Sequence, residues 1–311
     1  MDWDGKRYYS FDSYLKQTFG EKVYKISLNG GFTCPNRDGT LGTRGCIFCS
    51  EGGSGDFAPD AVLPIGEQIE EGIRMIRQKT DASKYIAYFQ AFTNTYAPYE
   101  KLHSLFYDAI LRKEIVGLAV GTRPDCLPPD VLELLHELNQ IKPVFVELGL
   151  QTIHEKTAQF IRRGYPLSCF EQAVKALHDL GINVVVHLIL GLPGETEEMM
   201  LESVRYLNQL PVSGVKLSLL HVLKNTDLGA LYEKHPFPVY ELDDYVDLVI
   251  RCIEELRDGI VIHRLTGDGP KDLLIAPRWT LNKRKVLNEI ARRMKETDSC
   301  QGKRWSENSK S

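Results

Sequence analysis

Three of the seven cysteines in this 311-residue sequence fall within residues 34–49, where eleven residues separate Cys34 from a C-x2-C pair made by Cys46 and Cys49. The loop between them carries Gly39, Gly42 and Gly45 and can fold back on itself. Three kinds of chemistry compete for such a set. A redox dithiol needs only the pair and leaves Cys34 without a task. Structural zinc wants four closed ligands, and no second C-x2-C or C-x2-H partner stands nearby. A [4Fe–4S] cluster held by three thiolates uses every cysteine of the loop and leaves one iron open. The amino and carboxylate groups of S-adenosylmethionine can chelate that iron. One electron would then break the sulfur–C5′ bond and give a 5′-deoxyadenosyl radical able to take hydrogen from an unactivated carbon, the protein fixing geometry and excluding water. Phe32, Ile47 and Phe48 would supply apolar shielding.

The remaining cysteines, Cys126, Cys169, Cys252 and Cys300, are scattered singly and read as small buried side chains. At 43% hydrophobic and 26% charged, the composition is that of an ordinary globular chain with a large core. No run approaches the ~18 apolar residues of a membrane span. The polar start, Met1-Asp2-Trp3-Asp4, carries no apolar signal region, so a cytoplasmic location is expected, where clustered cysteines mean metal or catalysis rather than disulfides.

A site of this kind must be held by regular elements, and these alternate along the chain. Apolar, β-branched runs of strand length recur at residues 23–28, 85–90, 115–120, 144–148, 183–190, 215–220 and 260–264. Helical periodicity fills 65–78, 99–112, 130–138, 168–180, 196–207 and 243–256. Ser168 with Glu171 has capping-box spacing, and Gly181 is placed to end that helix. Alternating strand and helix implies a parallel sheet, doubly wound or curled toward a barrel, with ligands at the C-terminal strand ends. Polar and glycine-rich clusters do follow the strands. They include the cysteine loop, Thr93-Asn94-Thr95, Gly121-Thr122-Arg123, the stretch from Glu147 to Gln151, Gly191 with Gly194, and His221 with Lys224.

This combination resembles the radical SAM superfamily. The likeness is nearest to its branch around the Elongator catalytic subunit and the oxygen-independent coproporphyrinogen oxidases, and within it to the bacterial YhcC/YtqA group. It rests on Cys34-Pro-Asn-Arg-Asp-Gly-Thr with Gly45-Cys46-Ile-Phe-Cys49, on Thr93-Asn94-Thr95-Tyr96, and on His263-Arg264-Leu-Thr-Gly267-Asp268. The fold it implies is α/β, a partial (β/α)6 TIM-like barrel with a small C-terminal α/β extension. Residues 1–22 would form an N-terminal extension, 23–226 the core barrel and 227–311 the C-terminal extension. The resemblance implies Cys34, Cys46 and Cys49 as cluster ligands. It also implies Thr93, Gln151, Arg162 (or its neighbour Arg163), Ile189 and Gly191 as S-adenosylmethionine contacts. The acidic ribose ligand of some relatives is absent after the third strand, which shifts that role toward Glu147.

The resemblance further implies a tRNA substrate, with the C5 carboxymethylaminomethyl group of a wobble uridine converted to aminomethyl. A one-electron reductant such as flavodoxin or ferredoxin would serve as partner. The formal net charge of −4 does not favour nucleic acid, but it hides a base-rich stretch from Arg278 to Arg304. A helix over 280–296 would place Val286, Leu287, Ile290 and Met294 on one face and bases on the other, and Trp279 and Trp305 could stack on bases. His221, Lys224, His263, Arg264 and Asp268 fall at late strand ends, where a substrate would face the radical. His187 reads as a satisfied core histidine, and the glutamates of 195–202 as favourable charge at a helix N-terminus. A radical enzyme on a small molecule, or a metal-stabilised RNA-binding module without catalysis, are the alternatives.

Overall fold

The computed structural model describes residues 3–53, 55, 58–267 and 269–308. In chain order the elements are α1 (Phe11–Phe19), β1 (Val23–Leu28), α2 (Ile65–Arg77), β2 (Lys84–Phe89), α3 (Tyr99–Ile110), β3 (Ile115–Thr122), α4 (Pro129–Ile141) and β4 (Val144–Gln151). There follow α5 (Glu155–Phe160), α6 (Leu167–Asp179), β5 (Asn183–Leu190), α7 (Glu197–Leu207), β6 (Gly214–Leu219), β7 (Val222–Leu223) and α8 (Asp227–Lys234). The C-terminal part adds α9 (Leu242–Glu255), β8 (Val261–Arg264), β9 (Leu274–Ala276), α10 (Lys283–Glu296) and α11 (Lys303–Asn308).

The sheet runs β1-β2-β3-β4-β5-β6-β8, and all its neighbours pair in parallel. The expected partial barrel is present as a curled half-barrel, with β8 as a strand beyond the expected six. Strands of this sheet are covered on both faces, so β2 and β4 bury nearly every residue and read as continuous apolar runs. The outer face packs under the helices in one large core, into which α10 inserts Val286, Ile290 and Met294. β7 and β9 form a separate antiparallel pair beside the strand ends. The helix expected to be capped at Ser168 starts at Leu167 with Pro166 as N-cap, because the fixed φ of proline is already suited to a helix entry. Among the described residues no helix is long and apolar enough to cross a membrane.

The inside of the barrel is floored by α1, an arrangement not foreseen for residues 1–22. Ser10 caps this helix, its side chain accepting from the Ser13 N–H, and the chain before it pairs with β8 through Ile262 N–H and Tyr9 C=O at 2.7 Å. Phe11 and Leu15 then reach Val23, Ile86, Ala119, Phe145, Val185 and Val261, one apolar cluster drawn from six strands. Phe11 meets Phe145 edge-on at 5.5 Å and stacks on the ring of His263 at 3.9 Å between centroids. Phe11→Ala is expected to lower unfolding stability by about 3 kcal/mol, from lost transfer energy and the cavity left behind. Guanidinium denaturation would measure it, and a loss below about 1 kcal/mol would show that α1 is not a floor.

Candidate active site

The cysteine loop leaves β1 and is folded by its own backbone. The Cys34 carbonyl accepts from the N–H groups of Arg37 and Asp38, the Asn36 carbonyl from Gly45 at 2.7 Å, and the Cys46 carbonyl from Cys49. Gly45 has φ +72°, and a Cβ there would stand 3.0 Å from the Arg37 side chain, so the close return of the loop needs glycine. Arg37 in turn donates to the Cys49 carbonyl at 3.0 Å and the Ser50 carbonyl at 2.5 Å. Asn36 donates to the Arg162 carbonyl at 2.8 Å and to Cys46 Sγ at 3.4 Å, tying the loop to the segment after β4.

Cys34, Cys46 and Cys49 all line one cavity of ≈ 690 Å³ at the C-terminal ends of the strands. Thr93, Gln151, Ile189 and Glu147 line the same cavity. The structure does not bring Arg162 or Gly191 to its wall. The Arg162 guanidinium turns to Asp227, at 2.5 Å, and to the Gly45 carbonyl. Arg163 takes the place in the wall; it is 2% exposed and donates to the carbonyls of Thr152 and Tyr165. Gly191, with φ +83°, lies against Tyr240 and gives its N–H to Met200 Sδ. Of the expected shielding residues Phe48 faces the cavity, whereas Phe32 packs on Phe89 and Ile47 joins a satellite core under β7.

Phe92, Gln151 and Arg162 adopt left-handed backbone with φ of +64°, +63° and +59°. Such strain in non-glycine residues gathers at working sites, and Phe92 and Gln151 here line the cavity itself. Thr95 bonds to Thr122, at 2.6 Å, and Asn94 to the Gly121 carbonyl, at 2.7 Å, so these two residues stitch adjacent strand ends while Thr93 looks into the cavity. Arg123 is held bidentate by Asp125.

Below the cysteines lies a layer of charge inside the barrel that sequence reading saw only in fragments. Glu147, 1% exposed, accepts from Lys25 at 2.7 Å, from the Tyr88 hydroxyl at 2.7 Å, from Lys216, and meets His187 Nε2 at 3.0 Å. Burial alone would raise the carboxyl, but Lys216, Lys25 and His187 outweigh it and hold Glu147 well below the usual carboxylate range. Burial, followed by the field of Lys216, pushes His187 down to about 4, so its ring is neutral at pH 7. His187 is satisfied as expected, yet its ring also lines the cavity. The signal was available: Lys25, Glu147 and Lys216 are charges inside otherwise apolar strands, and such charges must find one another. Asp268, which the sequence placed at a late strand end, lies outside the described residues.

The donor set fits an iron–sulfur cluster. Cys34, Cys46 and Cys49 line one cavity, and both Cys49 and Cys34 stand near enough to act on the Cys46 thiol. Burial, with Cys49 and Cys34 nearby, pushes the Cys46 thiol up to about 11, so three thiolates need a positive group between them.

The model of the radical SAM superfamily matches residues 38–207, and that of the radical SAM C-terminal domain matches 212–296. The chain is 45% identical over 298 residues to the protein YtqA of Bacillus subtilis (strain 168), covering 96% of this chain and 92% of that one. A weaker likeness, 24% over 164 residues, joins 51% of the chain to 30% of a Methanocaldococcus jannaschii protein named tRNA uridine(34) acetyltransferase. In fold it is similar to the archaeal Methanocaldococcus infernus Elp3, with TM-score 0.68 at 16% identity over 90% of this chain and 64% of that one. The three-cysteine loop, the half-barrel and these matches agree, and the chain belongs to the radical SAM superfamily, whose cofactors are a [4Fe–4S] cluster and S-adenosylmethionine.

Proposed function

We propose that this chain is a cytoplasmic radical enzyme that converts the carboxymethylaminomethyl group of a tRNA wobble uridine to aminomethyl. The observation that carries the reading is that the cavity lining extends to the start of α10. Thr280 and Leu281 line the cavity that holds the three cysteines, and the exposed Arg284 and Lys285 follow within four residues. A flipped base could enter there while its phosphates meet those cations. The likeness to proteins named for tRNA uridine 34 supports the same reading.

The basic stretch serves less widely than its composition implies. Arg292 is taken up by Glu289 and Glu296, and Arg293 by Asp243, Asp247 and Glu289, so charge available to a phosphate concentrates at the start of α10. Trp279 gives its indole N–H to the Tyr240 carbonyl and packs on Tyr245, which makes it part of the core.

In this reading Cys34, Cys46 and Cys49 hold the cluster, while Thr93, Gln151, Ile189 and Arg163 orient S-adenosylmethionine. Arg162 acts through its carbonyl, which accepts from the Asn36 amide, and so positions the loop. Together the bound cofactors supply a carbon radical, given one electron from a flavodoxin- or ferredoxin-like donor. The chain's part is to present the substrate carbon in a closed, water-poor space.

Nucleoside mass spectrometry of tRNA from a strain lacking the gene is expected to show carboxymethylaminomethyluridine accumulating at the expense of aminomethyl derivatives. The purified, anaerobically reconstituted protein should reverse that in vitro. Unchanged wobble uridines in both experiments would end the tRNA reading.

A further inference from the structure

Among the described residues, charge at the deep end of the cavity does not balance. Lys25 and Lys216 share a single carboxylate, Glu147, through its two separate oxygens. Arg264, at the end of β8, lines the cavity beside them, and its charge acts on Lys216, His187 and Tyr88. No carboxylate of the described residues comes within ion-pair distance of Arg264. A guanidinium does not deprotonate, so the excess of positive charge persists whichever form Lys216 takes. Cations held in a low-dielectric recess are costly unless an anion completes them.

Shape agrees with charge. Ser27 and Ser218 add hydroxyls to the same cavity, and the Tyr88 hydroxyl is within 3.0 Å of Lys216. The chain beyond Arg264 is pressed against the cavity: a Cβ on Gly267 would stand 2.9 Å from the His221 ring, and one on Gly269 3.2 Å from it. Both glycines line the cavity.

We propose that Arg264, backed by Lys216, forms an anion subsite that binds a carboxylate carried by the substrate. On the wobble-uridine reading, on which the substrate's identity here rests, that carboxylate is the one at the end of the carboxymethylaminomethyl group. Gripping it would place the neighbouring carbon and nitrogen higher in the cavity, toward the wall that bears the cysteines. The same subsite would reject a uridine whose side chain ends in an amine, because a second cation would meet Arg264.

The test uses holoenzyme reconstituted anaerobically, as wild type, Arg264→Gln and Arg264→Lys. N-methylglycine, which has the same secondary amine and carboxylate, serves as probe, with N-methylethanolamine as its neutral-ended control at equal ionic strength. N-methylglycine should raise the Tm of the wild type and the control should not. Arg264→Gln should abolish the response, and Arg264→Lys should keep part of it. Without ligand, Arg264→Gln should melt no lower than wild type, since it removes a charge rather than a contact. On tRNA carrying carboxymethylaminomethyluridine, kcat/KM of Arg264→Gln should fall about 100-fold, as for truncating one side of a buried charge pair.

An undiminished N-methylglycine response in Arg264→Gln would overturn the subsite. So would weakened binding of S-adenosylmethionine in that variant, measured by equilibrium dialysis, because the anion would then be the methionine carboxylate of the cofactor. A wild type that binds N-methylglycine through Arg264 yet leaves the tRNA unchanged would uphold the subsite and remove the wobble-uridine reading alone.

Discussion

Cys34→Ala is expected to yield a protein that makes no detectable 5′-deoxyadenosine after anaerobic reconstitution and lacks the broad absorption at about 400 nm of an iron–sulfur cluster. The effect should be this large because the three thiols of the loop have no substitute. Cys126 and Cys252 are buried and absent from the cavity wall, and burial pushes the Cys126 thiol up to about 12. Cys300→Ser is the matched control and should keep both signals, since this residue follows α10 and is absent from the cavity wall. Cys46→Ala and Cys49→Ala should behave as Cys34→Ala does. A Cys34→Ala protein that still cleaved S-adenosylmethionine would remove this residue from the ligand set and leave the C-x2-C pair as a dithiol or a metal site of another kind.

The cysteine loop was legible because three soft ligands in one glycine-rich turn have few other uses. The strands were legible for a related reason. Parallel strands covered on both faces need apolar residues at nearly every position, and β2, β4 and β5 announce themselves by that demand. What escaped notice is what depends on several strands at once. The apolar face of α1 has meaning only against the floor that Val23, Ile86, Ala119, Phe145, Val185 and Val261 make together. The choice between Arg162 and Arg163 turned on one left-handed residue, which sends the first guanidinium to Asp227 and leaves the second buried in the cavity wall. Glu147 was singled out at the end of the fourth strand as a stand-in for the missing acidic ribose ligand, but its partners are Lys25 and Lys216, more than sixty residues away on either side. Register across the sheet brings them together, and no local pattern encodes it.

Glu147→Gln should therefore be among the most destabilising substitutions in the chain. It would leave the buried Lys216 without its counter-charge and leave only one acceptor oxygen for Lys25, Lys216 and the Tyr88 hydroxyl, a loss of about 3–5 kcal/mol for a broken buried pair. Removing both partners costs less than removing one, so Glu147→Leu combined with Lys216→Met should recover part of the loss; Lys25, 21% exposed, can turn toward solvent. The wild type should also lose stability on acidification, for two reasons of the same sign. Glu147 is held below its unfolded value, so its contribution is present above about pH 4.3 and disappears as pH falls through its native value. His187 is held down at about 4, so between pH 6.5 and 4 the unfolded chain takes up a proton that the folded ring refuses. Guanidinium denaturation at pH 7.5, pH 5 and pH 3 would separate the two, His187 acting already by pH 5 and Glu147 only below about pH 4.3. A Glu147→Gln protein as stable as wild type at pH 7.5 would mean that the lysines are neutral in the fold, and the charge layer would then be a hydrogen-bonded floor rather than an ionic one.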